Sequence, residues 1–401
     1  MLTLDKIYQA NYVLKDVIRP TELMAAPNID SENNLFLKAE NLQITGSFKI
    51  RGAYFKISQL TDAEKAKGII ACSAGNHAQG VALAAQKNNI PCLICMPDSA
   101  PISKIEATKS YGADIHLAQG SYDDAYEDAL SIQKEKGYTF IHPFNDEDVI
   151  AGQGTIGFEI LEQLEQIDAI VVPIGGGGLI SGIAFAVKTL KPECKVYGVQ
   201  AAGAASMSKA HKYDEIVTLD EVTTFADGIA VKRAGDLTYA LTRKYVDEII
   251  TVSDDEIAAA ILMLMEKQKM VAEGAGAVSV AAAMFNKLPI KNKNVVCVVS
   301  GGNIDVNILA RVITRGLLMS GRKTSLTIAL VDKPGQLLGV SKIISDCGGN
   351  VVAVDYDNGD PTMDINSCFL KITMETKDHN HIEKIIEQLE KNGFQIVKER
   401  T

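Results

Sequence analysis

Two stretches of this chain, Ala169-Ile170-Val171-Val172-Pro173-Ile174 and Val295-Val296-Cys297-Val298-Val299, are apolar at every position. A strand with one solvated face alternates apolar and polar residues, so an unbroken run of this length asks for burial on both faces. Shorter runs at Gly68-Ile69-Ile70-Ala71-Cys72 and Pro91 to Met96 repeat the pattern, and helix-like segments follow at Asn76 to Lys87 and Ser103 to Tyr111. Strands buried on both faces and separated by helices predict a parallel α/β architecture from residue 1 to about 320. In such folds the loops at the carboxyl ends of the strands carry the ligands.

The pattern changes near Arg322. Ser325 to Val331 reads as a strand, with Pro334 at the start of the next helix. Asn350 to Tyr356 and Cys368 to Met374 read as two more strands. His381 to Lys391 reads as a helix stopped by Asn392-Gly393, and Gln395 to Val397 as a last strand. The order βαββαβ is ferredoxin-like. Gly316 to Lys323 is the expected junction.

Charge and cysteine content exclude several functions. A net charge of −10 is the wrong sign for a polyanion binder, so nucleic acid is not an expected partner. No apolar run approaches the roughly 18 to 20 residues of a membrane span, so no membrane association is expected. Met1 to Lys6 has no basic region leading into an apolar stretch. A cytoplasmic protein is expected. Cys92 and Cys95 form a C-x-x-C, but inside an apolar run and without a second Cys pair or His cluster. They read as small buried hydrophobes rather than zinc ligands.

Three segments carry chemistry. Lys49, between Phe48 and Ile50, is a lysine that burial would shift toward its neutral form, ready to attack an aldehyde. Alone, a lysine at a helix start is usually a solvated surface group. Gly175-Gly176-Gly177-Gly178-Leu179 follows a strand directly. Its amides can converge on an anion at the start of a helix, though a bare tight turn reads the same way. Ser73-Ala74-Gly75-Asn76-His77 is a second strand-to-helix junction suited to a carboxylate. There Asn76 could equally be a helix cap, and His77 a structural histidine.

Taken together, Ser47-Phe48-Lys49-Ile50-Arg51-Gly52-Ala53, Ser73 to Gly80, the tetraglycine run and Ser300-Gly301-Gly302-Asn303 resemble the fold-type II pyridoxal-phosphate enzymes, and within them the threonine dehydratases (threonine ammonia-lyases). The resemblance implies two parallel-rich α/β lobes within a catalytic domain over 1–320, the smaller lobe (about 40–145) inserted in the larger. It implies pyridoxal 5′-phosphate as cofactor. Lys49 would bond its aldehyde, Phe48 pack near its ring, and Asn76 meet its ring hydroxyl. Gly175, Gly176, Gly177, Gly178 and Leu179 would hold its phosphate, and Ser300 meet its pyridine nitrogen. Ser73, Ala74, Gly75, Asn76 and His77 would take the substrate carboxylate. Glu273 would line the site, or serve only as a helix-start carboxylate.

The implied reaction is α,β-elimination from L-threonine to 2-oxobutanoate and ammonia, and from L-serine to pyruvate. Its role would be isoleucine biosynthesis or threonine catabolism. Serine racemases place a second serine where this chain has Ala74, so racemisation is disfavoured. Relatives with a divalent metal place acidic ligands where Gln200 and Ser206 stand here, beside Ala204. No metal is expected, a monovalent cation being left open. Residues 325–401 resemble an ACT domain, a small amino-acid-sensing fold, with Asp332, Pro334, Gly335, Gln336 and Leu337 in its ligand loop. An amino-acid or nucleotide effector and a homodimer or homotetramer follow from the likeness. The rival readings are a serine racemase or β-replacement enzyme on the same fold, a non-catalytic amino-acid-binding regulator, and a C-terminal domain that only dimerises.

Overall fold

The structure, a computed structural model, describes residues 2–29, 32–358 and 365–397. It divides into two compact units, residues 1–308 and 309–401.

In the first unit the unbroken apolar runs are strands, as their composition requires. A six-stranded sheet runs in the order Leu23–Ala25, Asn34–Lys38, Asn294–Val298, Ala169–Pro173, Lys195–Ala201, Glu248–Val252. Only the first pairing is antiparallel. Ala169–Pro173 is buried at all five positions. A four-stranded parallel sheet, in the order Asp114–Ala118, Cys92–Pro97, Ile69–Cys72, Thr139–Phe140, lies in sequence between Asn34–Lys38 and Ala169–Pro173. Cys92 and Cys95 sit in one of its strands, both buried, and none of the chain's seven cysteines forms a disulfide.

Two helices need no polar face because they are covered on every side. Gly274–Met284 is apolar almost throughout and buried up to its last residue, and Gly178–Leu190 is mostly buried until its last turn emerges at residues 188–190. The helix Val306–Met319 takes up the first part of the expected junction, Gly316 to Lys323, and ends shortly before Gly321, whose φ is +66°. No helix among the described residues is long and apolar enough to cross a membrane.

The second unit carries one antiparallel sheet in the order Asn350–Asp357, Ser367–Glu375, Lys323–Val331, Gln395–Val397. The helices Gln336–Asp346 and His379–Lys391 complete a βαββαβ order. Alternation is visible along Ser367–Glu375, where Cys368, Leu370, Ile372 and Met374 are buried and the residues between them are not. They pack with Val340 and Ile344 of one helix and Ile385 and Leu389 of the other. The first helix starts two residues after Pro334, because Gly335 with φ +95° turns the chain into it. Asn392 and Gly393 end the last helix, Gly393 at φ +84°.

Candidate active site

The three chemical segments, far apart in sequence, line one cavity of about 840 Å³. Lys49 opens the helix Lys49–Ser58. Its side chain is partly accessible, while the amine reaches inward and donates to the Pro143 carbonyl at 3.0 Å. Burial pushes the ammonium down to about 8 from the usual 10.5, against the pull of Glu273. A neutral carbonyl is a weak partner for a buried cation, so about a tenth of the amine is neutral near pH 7, far more than for a solvated lysine.

The tetraglycine run is the turn between the strand Ala169–Pro173 and the helix Gly178–Leu190. No backbone carbonyl among the described residues receives the N–H of Gly176, Gly177, Gly178 or Leu179. Four amides at a helix start, with the positive end of the helix behind them, bind an anion. Glycine is required by space. A Cβ on Gly176 would land in the ring of Phe144, and one on Gly178 would lie 2.9 Å from the Phe144 backbone. Gly177 also has φ +97°.

Asn76 starts the helix Asn76–Asn88 that follows Ile69–Cys72. It does not cap that helix, since its side chain is committed sideways. Its Nδ2 donates to Glu273 Oε1 at 2.6 Å, and its Oδ1 accepts from Asn303 at 2.8 Å. Burial, with Asp227 adding repulsion, pushes the Glu273 carboxyl up to about 7, although the Asn76 hydrogen bond opposes this. Glu273 therefore faces the cavity side of the site, joined to Asn76, rather than acting as a solvated helix-start charge. Ser300 is buried, and its hydroxyl donates to the Ala275 carbonyl at 3.3 Å. That contact is long enough for the hydroxyl to exchange it for a better acceptor.

Ser73, Ala74, Gly75 and His77 complete the expected set around the cavity. Ser73 Oγ accepts the Gly75 N–H at 3.2 Å, shaping the turn. The His77 ring is held by the Ile141 carbonyl at 2.8 Å and its pKa is pushed down to about 3, chiefly by burial. It is a neutral, structural imidazole, and any recognition by His77 falls to its main chain. Leu179 and Phe48 also line the cavity, with Lys49 Nζ 5.4 Å from the centre of the Phe48 ring. Gln200 uses its amide within its own turn, donating to the Ala204 carbonyl at 3.2 Å and accepting from the Ser208 N–H at 2.8 Å. The Ser206 hydroxyl is buried without a hydrogen-bond partner. Asp332, Pro334, Gly335, Gln336 and Leu337 belong to the second unit.

Several residues that shape the cavity carry no motif. Pro143-Phe144-Asn145 touches Lys49 through Pro143, the glycine turn through Phe144, and the helix Asp236–Tyr245 through Asn145, which accepts the Leu237 N–H at 3.0 Å. His142 holds this corner, its Nδ1 accepting the N–H groups of Phe144 and Asn145. Two reciprocal ion pairs, Lys104 with Asp227 and Lys232 with Asp123 (3.0 Å), also stand at the cavity wall.

A reactive lysine, a glycine anion cradle and a buried serine within one cavity fit an aldehyde-bearing, phosphorylated ring cofactor. Comparison with known proteins agrees. The profile of the family described as "Pyridoxal-phosphate dependent enzyme" matches residues 14–301. The L-threonine ammonia-lyase of Thermotoga maritima is 48% identical over 399 residues, which cover 99% of each chain. Among solved structures, the processed form of threonine deaminase isoform 2 from Solanum lycopersicum is similar with a TM-score of 0.75 and 39% identity, covering 79% of this chain and 90% of that one. Maize serine racemase has a TM-score of 0.74 and 37% identity, covering 79% of this chain and 98% of its own. Cavity chemistry and likeness converge, and this chain belongs to the pyridoxal-phosphate-dependent enzyme family.

Proposed function

We propose that the protein is a threonine ammonia-lyase that converts L-threonine to 2-oxobutanoate and ammonia, and L-serine more slowly to pyruvate. The observation that carries this reading is the single cavity uniting Lys49, the unpaired amides after Ala169–Pro173, and the Asn76–Glu273 pair. Lys49, Asn76, Ser300, Phe48, Leu179 and the four glycines would hold pyridoxal phosphate. Bound there, the cofactor supplies a sink for the negative charge left at Cα. Lys49 removes the Cα proton, a task suited to an amine whose pKa lies near 8. Main-chain amides and small side chains from Ser73 to His77 orient the substrate carboxylate at a helix start. Incubation of the purified holoprotein with each amino acid, followed by 2-oxo acid and ammonia measurement, tests the proposal. Equimolar 2-oxobutanoate and ammonia from threonine are expected, and absence of both refutes it.

Serine racemisation is the second reading, favoured by the similarity to the maize enzyme. Against it, Ala74 on the cavity wall carries no proton. Chiral separation of recovered serine decides, and D-serine formed as fast as pyruvate would reverse the preference.

The catalytic domain over 1–320 and an ACT regulatory domain over 325–401 are part of the proposal. Since 79% of this chain covers 98% of maize serine racemase, roughly a fifth of it is an addition to that scaffold. The loop of Asp332, Pro334, Gly335, Gln336 and Leu337 leads from a strand into a helix start. Gly335, with φ +95°, turns the chain into the helix Gln336–Asp346, whose first amides face the end of that loop. Rates measured with and without isoleucine, valine or AMP test this, and no response to any of them leaves the domain purely structural. A homodimer or homotetramer and a cytoplasmic location are proposed with it. The cysteines, none of them in a disulfide, fit a reducing compartment.

A further inference from the structure

A run of glycines offers amides but does not decide which way its peptides face, because glycine restricts φ and ψ so little. Here the direction is imposed from outside. The Gly176 carbonyl accepts a hydrogen bond of 2.6 Å from the hydroxyl of Thr238, a fully buried residue in the first turn of the helix Asp236–Tyr245. In a trans peptide the carbonyl and the following N–H point in opposite directions. The Gly177 N–H is therefore turned away from Thr238. Gly177 lines the cavity and Thr238 does not.

We propose that Thr238 is a positioning residue for the glycine turn: its hydroxyl holds the Gly176–Gly177 peptide in the orientation that presents the Gly177 N–H to an anionic group in the cavity. The inference rests on the reading of this turn as the cofactor's phosphate site. Thr238 is itself held at both ends. The Ser181 hydroxyl, in the helix that follows the turn, lies 3.4 Å from the Thr238 carbonyl. The adjacent Leu237 N–H is anchored on Asn145. The Thr238 hydroxyl has one proton to give, and the Gly235 carbonyl at 3.1 Å is the longer alternative to Gly176. Without the hydroxyl the Gly176 carbonyl is left buried and unpaired, and the peptide gains a reason to rotate toward water or another donor.

Thr238→Ser and Thr238→Ala both remove the methyl group, and only the alanine removes the hydroxyl. Equilibrium dialysis of cofactor-stripped protein against pyridoxal phosphate and against pyridoxal separates a phosphate effect from a general one. Thr238→Ser should keep the wild-type preference for the phosphorylated compound. Thr238→Ala should lose about tenfold in pyridoxal phosphate affinity with pyridoxal binding unchanged. Equal pyridoxal phosphate binding by the two variants overturns the proposal, as does a parallel loss for both compounds. A wild-type protein that does not distinguish the two compounds would remove the phosphate reading itself, a result visible before any variant is made.

Discussion

Lys49 and Arg51 are two residues apart on one helix, both buried at their charged ends, and the protein treats them in opposite ways. Arg51 is saturated. Its guanidinium donates to Glu40 at two oxygens, 2.8 Å each, to Glu159 at 2.5 and 3.0 Å, and to Thr155 at 3.1 Å. Lys38 joins the cluster through Glu159 at 2.6 Å. These carboxylates hold Arg51 firmly charged despite its burial. Lys49 has one neutral carbonyl and a carboxyl, Glu273, that burial itself inclines to stay protonated. Full pairing makes a buried charge inert and costly to disturb, whereas incomplete pairing leaves an amine that can lose its proton and act as a nucleophile.

The contrast can be broken most severely at Lys49. Lys49→Ala should lower ammonia release from threonine by at least about 10³-fold, with the thermal midpoint of the cofactor-free protein unchanged or raised. Activity near wild type would end the assignment of Lys49. Arg51→Ala should do the reverse, costing about 3–5 kcal/mol in urea unfolding because Glu40 and Glu159 lose their buried partner. A loss below about 1 kcal/mol would show the cluster to be far better solvated than its geometry indicates.

A smaller effect sharpens the electrostatic side of the comparison. The folded-state pKa of Glu273 is raised, so its proton favours the folded form below the usual 4.5. That advantage fades as pH rises through about 7. Lys49, with its pKa lowered, acts in the other window: stability is regained as pH rises from about 8 toward 10.5. Glu273→Gln in the cofactor-free protein should flatten the stability profile between 4.5 and 7 and leave the alkaline limb in place. An unchanged acidic limb would show that Glu273 ionises normally. The smallest effect is expected from Ala74→Ser, which adds a second proton carrier to the wall of the cavity that Lys49 lines. Slow formation of D-serine from L-serine, with ammonia release within about twofold of wild type, is the expected outcome. No D-serine after long incubation would show that position 74 does not reach the opposite face of the substrate.

What could be read without coordinates was whatever is written in consecutive residues. Unbroken apolar runs gave parallel strands, the element order after Arg322 gave the βαββαβ unit, and the Asn76 and tetraglycine segments lie at strand-to-helix junctions. The Lys49, Asn76 and tetraglycine segments could thus be read as units. What escaped is held by distant partners. Thr238, Phe144 and Asn145 bear no motif, because each acts through contacts with residues 32 or more positions away in the chain. The environment of Arg51 depends on Glu159, 108 residues on, so its partners were not legible. Pro334 was placed at a helix start, but the backbone freedom of Gly335 moved that start to Gln336.

Gly80 bears on how firmly the reacting groups keep their spacing. The helix Asn76–Asn88 approaches Lys49–Ser58 so closely there that a Cβ at residue 80 would lie 3.1 Å from the Lys49 carbonyl carbon and the Ile50 nitrogen. The gap between an amine on one rod and an amide on the other is thus gauged by one hydrogen atom, several residues from any chemistry. Thickening that gauge by a single methyl would ask the backbone of Lys49 and Ile50 to give by a few tenths of an ångström while every reacting side chain stayed in place.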